Sequence, residues 1–96
     1  MIDKKGGDIV KEIKINIPEY DDALEMVWDE NFAIKTSTEY NAITIEANRA
    51  GLLSLARHLL LLAQDEVPNG SHFHLDNFNS LEDNSVELII AKNEIL

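Results

Sequence analysis

The residues with the most obvious chemical potential are His72, His74 and Asp76, two apart within Gly70-Ser71-His72-Phe73-His74-Leu75-Asp76. In a strand, alternate residues project from one face about 6.5–7 Å apart, which lets two imidazoles share one metal ion. A closed zinc site needs a third or fourth ligand and neighbours that orient them, and the remaining histidine, His58, carries no spacing that ties it to this strand. The same three residues could instead hydrogen-bond on an open sheet face. Acid–base catalysis by a His–Asp pair is not expected, because no nucleophile motif or phosphate-binding loop accompanies it. The expectation is a protein that is not an enzyme and needs no cofactor. A small metal-binding protein or metal-dependent enzyme using His72, His74 and Asp76 stands as the alternative.

A second concentration of chemistry lies between Glu19 and Glu30, where Glu19, Asp21, Asp22, Glu25, Asp29 and Glu30 occur without lysine or arginine and enclose Tyr20 and Trp28. Aromatic anchors among like charges suit a contact with a basic protein surface. The plainer alternative makes Trp28 part of the core and the carboxylates a solvated face. No calcium-loop spacing is present, so these carboxylates do not point to a divalent cation. The balance of 18 acidic against 8 basic residues, a formal charge of −10, repels phosphate backbones and anionic lipid. Nucleic acid and membrane surfaces are thus disfavoured, whereas a basic protein would be steered in. The candidate partner-binding residues are Asp21, Asp22, Glu25, Trp28, Asp29 and Glu30, joined by the face of His72, His74 and Asp76.

These residues need elements to position them. Ile13, Ile15 and Ile17 alternate with Lys14 and Asn16, which predicts a strand over Ile9 to Ile17 closed by Pro18. Between residues 19 and 30, Tyr20, Leu24, Val27 and Trp28 fall at approximate helical spacing, and a short helix or an ordered loop fits equally well. Phe32 to Thr38 and Ala42 to Ala47 are rich in β-branched residues and predict a hairpin through Glu39-Tyr40-Asn41, with Ile43 and Ile45 facing the core. Asn48 is a plausible N-cap for a helix of four to five turns from Arg49 to Asp65. Along it Leu52, Leu55, Ala56, Leu59, Leu62 and Ala63 form one apolar stripe, widened by Leu53, Leu60 and Leu61, so a charge at Leu59 is expected to unfold the domain. Val67-Pro68-Asn69-Gly70 ends the helix in a turn. Ser71 to Asp76 then alternates with Phe73 and Leu75 inward, and Ser85 to Lys92 forms the last strand with Val86, Leu88 and Ile90 inward.

Several strands around one long helix, joined by short connections, predict an α+β protein: an antiparallel β-sheet with one long α-helix packed on one face. Ninety-six residues suit a single domain, with residues 1–8 expected to be flexible. The absence of cysteine excludes a disulfide scaffold and thiolate metal sites. The polar, glycine-containing amino terminus reads as neither a signal peptide nor a membrane span, and the cytoplasm is the expected compartment.

Three stretches carry a resemblance. Asn48-Arg49-Ala50-Gly51-Leu52 through Leu55-Ala56-Arg57-His58-Leu59-Leu60, then Gly70-Ser71-His72-Phe73-His74-Leu75-Asp76, then Ser85-Val86-Glu87-Leu88-Ile89-Ile90, together resemble the bacterial immunity protein 32 family, over roughly residues 43 to 92. The family's His-x-His-x-Asp element falls on His72, His74 and Asp76. The resemblance implies a small α+β protein, encoded beside a toxin of a polymorphic toxin system, that binds and neutralises that toxin inside the producing cell without catalysis. Its partner is then a cognate protein toxin, and by analogy a basic one, with the chain itself a monomer or homodimer.

Overall fold

The computed structural model describes residues 9–96. Residues 1–8, expected from sequence to be flexible, lie outside the described residues. The elements follow in the order β1 (Ile34–Glu39), β2 (Ala42–Ala47), α1 (Arg49–Leu62), β3 (His72–Leu75) and β4 (Leu88–Ala91), an α+β architecture. The strands form two antiparallel hairpins, β1 with β2 and β3 with β4, instead of one continuous sheet.

The first hairpin turns through Tyr40 and Asn41, at φ 52° and 63°. Two successive left-handed residues match the right-handed twist of the flanking strands, so a two-residue connection suffices. Its register sets Ile34 opposite Ala47, Thr36 opposite Ile45 and Thr38 opposite Ile43. Ile34 and Thr36 are buried, whereas Ile43 is 71% and Ile45 42% exposed. The alternation of β2 therefore gives the correct face, but the hairpin extends beyond the core that was expected to cover it.

The other edge of β1 bonds to the approach to β4. Glu82 N–H donates to Ile34 O (2.8 Å) and Val86 N–H to Thr36 O (3.2 Å). The Thr36 hydroxyl donates to Val86 O, and Thr36 N–H donates to Ser85 Oγ. Val86, expected inside a strand, instead occupies this bridge and stays partly exposed.

Helix α1 starts where Asn48 predicts. Asn48 Oδ1 accepts from Gly51 N–H (2.8 Å) and Ala33 N–H (3.0 Å), and its Nδ2 donates to Asn31 O (2.9 Å). One side chain thereby caps the helix and fastens it to the base of β1. Gly51 permits the close approach: a methyl group there would lie 2.5 Å from Ala33 O and 3.0 Å from both Ala47 Cβ and Ile34 Cγ1. The helix ends at Leu62 with Ala63 as C-cap, three residues before Asp65, and Lys92 Nζ donates to the Gln64 and Val67 carbonyls just beyond it.

The core consists of Ile34, Leu55, Leu61, Leu62, Val67, Phe73, Leu75 and Leu81. Phe73 and Leu75 are buried and Leu88 and Ile90 half-buried, as the alternation of β3 and β4 predicts. The buried side of α1 is Gly51, Ser54, Leu55, His58, Leu61 and Leu62. Leu59 is 51% exposed, so it lies at the margin of the core and not in the buried stripe on which the expected unfolding by a charge there was based.

The predicted strand over Ile9 to Ile17 is not formed. This stretch has no regular structure, Val10 and Ile13 are exposed, and only Ile17 packs against the core. An alternating sequence becomes a strand only where a neighbouring edge supplies backbone partners. Among the described residues no helix is long and apolar enough to cross a membrane.

Candidate functional site

Residues 16–32 form an ordered, irregular loop that runs along one flank of α1, which settles the choice between loop and helix. It carries its own apolar anchors: Ile17, Tyr20, Leu24, Trp28 and Phe32 are half-buried against the core. Its backbone lacks ladder partners, and buried peptide groups must be satisfied some other way. Side chains of α1 and of the turn after it do so. Arg57 Nε donates to Asn16 O (3.1 Å), and Gln64 donates to Pro18 O (3.0 Å) while accepting from Tyr20 N–H (3.1 Å). On the returning limb, Val27 N–H donates to His58 Nε2 (3.2 Å), Asp29 N–H to Ser54 Oγ (2.9 Å), and Arg57 Nη1 to Val27 O (3.3 Å). The loop thus advances along the helix as far as Gln64 and returns to Ser54, bending at Asp21 to Ala23 with Asp22 at φ 59°.

His58 is the pivot. Its ring is 1% exposed and lies 4.3 Å from the Trp28 ring and 4.8 Å from the Phe73 ring, centroid to centroid. Nδ1–H donates to Ser54 O (2.6 Å), which leaves Nε2 as the acceptor for Val27. Both bonds fit the neutral imidazole. Burial pushes the pKa of His58 below its ordinary value; the bond to Ser54 opposes that shift and the nearby Arg57 charge adds to it.

The predicted acidic residues divide accordingly. Asp21, Asp22, Glu25 and Glu30 are exposed. Trp28 stacks on Phe32 at 4.6 Å and covers His58, while Asp29 pairs with Arg57 Nη1 at 2.8 Å. These two residues hold the loop, and the four exposed carboxylates are what it displays. Met26, and Val27, whose helical spacing with Tyr20, Leu24 and Trp28 pointed to an inward place, are 42% and 37% exposed among them. The signal for the loop's anchorage was present in the helix, where Ser54, Arg57 and His58 interrupt a leucine-rich stretch at helical spacing and Gln64 follows.

His72 and His74 are exposed on the face of β3 opposite Phe73, and Phe73 is the residue that meets His58. They therefore point away from α1 and its loop. His72 Nδ1–H donates to Gly70 O (3.3 Å), and His74 Nε2 pairs with Glu87 at 3.1 Å. The Asp76 carboxylate turns into its own turn, where it accepts from Phe78 N–H (2.9 Å) and Asn79 N–H (3.1 Å). The metal alternative consequently loses its third ligand: among the described residues no group of three or more His, Asp and Glu side chains is placed to hold a metal ion.

Beside the loop, a shallow recess of about 400 Å³ is lined by Glu19, Tyr20 and Asp21 alone, a polar and open surface in place of the enclosed apolar lining of a ligand pocket. The cleft between Pro18, Tyr20, Glu25 and Leu61 measures about 90 Å³, against the roughly 300 Å³ or more of ligand pockets. A family model described as Immunity protein 32 matches residues 42–93, just over half of the chain, spanning β2 to β4 and leaving out the acidic loop and β1. No curated protein and no solved structure gives a significant match.

Proposed function

The chain belongs to the immunity protein 32 family, and from that premise we propose that it neutralises a cognate protein toxin by forming a stoichiometric complex through the acidic loop. Asp21, Asp22, Glu25 and Glu30 meet a basic surface on the toxin, with Met26 and Val27 as the apolar centre of the contact. Trp28 and Asp29 act from beneath by holding the loop in shape. His72, His74 and Asp76, on the far side of β3, form a separate contact for a toxin that wraps around the hairpin.

The observation that carries this reading is the anchorage of the loop by Ser54, Arg57, His58 and Gln64. A loop already fixed in its binding conformation avoids an ordering cost on association, and its charges are set before the partner arrives. The test is association with the toxin encoded beside this chain, followed against ionic strength. The on-rate is expected to fall by at least about tenfold between low and high salt, and the D21N/D22N/E25Q/E30Q variant should lose most of that dependence. A rate that ignores salt, or a quadruple variant that binds as fast as the parent, would sink the proposal.

A further inference from the structure

The flank of α1 away from the acidic loop carries Leu52, Ala56, Leu59 and Ala63, at intervals of four, three and four residues. That is the spacing of a seam between two packed helices. Leu52 is 55%, Leu59 51% and the adjoining Leu60 46% exposed. In a chain of formal charge −10, these positions carry no charge. The charges stand at the ends of the seam: Arg49 at the start of α1, and Asp65 and Glu66 just past its end. All three are exposed and make no ion pair among the described residues.

We propose that this face binds a second copy of the chain, with the two α1 helices antiparallel across a two-fold axis. The pattern is complementary to itself in one register. An axis passing between Arg57 and His58 brings Leu52 against the partner's Ala63 and Ala56 against the partner's Leu59, so each large side chain meets a small one. The same antiparallel arrangement brings Arg49, at the start of one helix, to the end of the partner helix, where the turn after Leu62 carries Asp65 and Glu66, and it opposes the helix dipoles favourably. Parallel pairing would bring Arg49 next to the partner's Arg49 and Glu66 next to the partner's Glu66. Beside the seam, a groove runs between Leu59, Leu62, Ala63 and Ile90 on its apolar side and Lys92, Asn93 and Glu94 on its polar side, where Lys92 pairs with Glu94. A contact confined to one helix of this length covers less than the roughly 800 Å² per partner of a standard interface, so the dimer is weak, with a dissociation constant on the order of 100 µM.

Sedimentation equilibrium on the full chain, from about 10 µM to about 1 mM, tests this against the predicted dissociation constant. The parent should pass from monomer to dimer across that range. Leu59→Glu should raise the dissociation constant on the order of a hundredfold, because two leucines lose their cover. Arg49→Glu or Glu66→Lys alone should each raise it about fivefold, and R49E/E66K together should restore it. A parent that stays monomeric, or a Leu59→Glu variant that associates as well as the parent, overturns the dimer. A double charge variant no tighter than its single parents overturns the antiparallel register, and this comparison remains decisive if Leu59→Glu fails to fold. Toxin neutralisation by Leu59→Glu separates the two readings, since the acidic loop lies on the other flank: intact neutralisation with lost dimerisation is the expected result. Lost neutralisation by a variant whose parent is monomeric would assign the seam to the toxin and overturn the dimer.

Discussion

Along α1 and the turn after it, Ser54, Arg57, His58 and Gln64 lie wholly or partly under cover while Leu52, Leu59 and Leu60 stand half in solvent, the reverse of what hydrophobicity alone dictates. The difference lies in what each flank meets. One flank is covered by an irregular loop whose peptide groups have no ladder partners, and an apolar helix surface beneath it would leave those groups unsatisfied at about 1–3 kcal/mol each. Polar side chains are therefore the stabilising choice on that side. The other flank keeps Leu52, Leu59 and Leu60 about half exposed among the described residues, with no loop peptide groups hydrogen-bonded to its side chains, and can remain apolar. Burial on this helix follows the hydrogen-bonding needs of its cover as much as its own leucines.

The contrast can be broken most severely in the core beneath the loop. Leu61→Ala should cost about 2–5 kcal/mol in chemical denaturation, whereas Leu59→Ala, one helix flank away, should cost under about 1 kcal/mol. Equal losses would show that the two flanks are alike. Gly51→Ala comes next. A helix interior normally gains about 1 kcal/mol from this exchange, but here the methyl would collide with Ala33 O, and a net loss of about 1–3 kcal/mol is expected. A gain in melting temperature would mean that α1 does not press on the hairpin. Ser54→Ala, which strands Asp29 N–H, should cost about 1–2 kcal/mol and raise amide exchange at Asp29 and Val27 before the rest of the molecule. Uniform exchange would count against the anchorage.

The mildest perturbation is a proton on His58. Its folded pKa lies below the ordinary value of 6.5, so the unfolded chain takes up this proton first as the pH falls. Its stability contribution is fully present above about pH 6.5 and is lost as pH drops through the window towards the lower folded pKa. Melting temperature followed from pH 7.5 downward should fall more steeply for the parent than for His58→Gln. Parallel profiles would remove His58 from the account.

Much of the scaffold was legible in the sequence. Asn48 announced the helix start, the β2 sequence gave its hairpin, and Phe73 and Leu75 gave the inner face of β3, because each depends on local chemistry. The rotation of α1 was not legible, since leucines at 52, 53, 55, 59, 60, 61 and 62 surround it and leave its apolar phase undefined. The polar residues that fix the phase become informative only once the loop is known to lie on them. The Ile9 to Ile17 alternation misled for a related reason, as a strand needs an edge to join and sequence spacing does not supply one. At the candidate site the carboxylates were visible; of the two places open to Trp28, the structure puts it against His58 in the core, and Asp29, expected among the displayed residues, pairs with Arg57.

The fastenings of the loop have an evolutionary corollary. They run mostly from its main chain to α1 and the turn after it, and none of the hydrogen bonds described above engages the side chains of Asp21, Asp22, Glu25 or Met26. On the proposed reading of this loop as the toxin contact, mutation can rewrite Asp21, Glu25 and Met26 to follow a changing adversary while the mounting stays the same, whereas Asp22, at φ 59°, is confined to residues that tolerate a left-handed backbone. On that reading recognition and foldability are inherited separately in this chain, so a new specificity need not begin with a new fold.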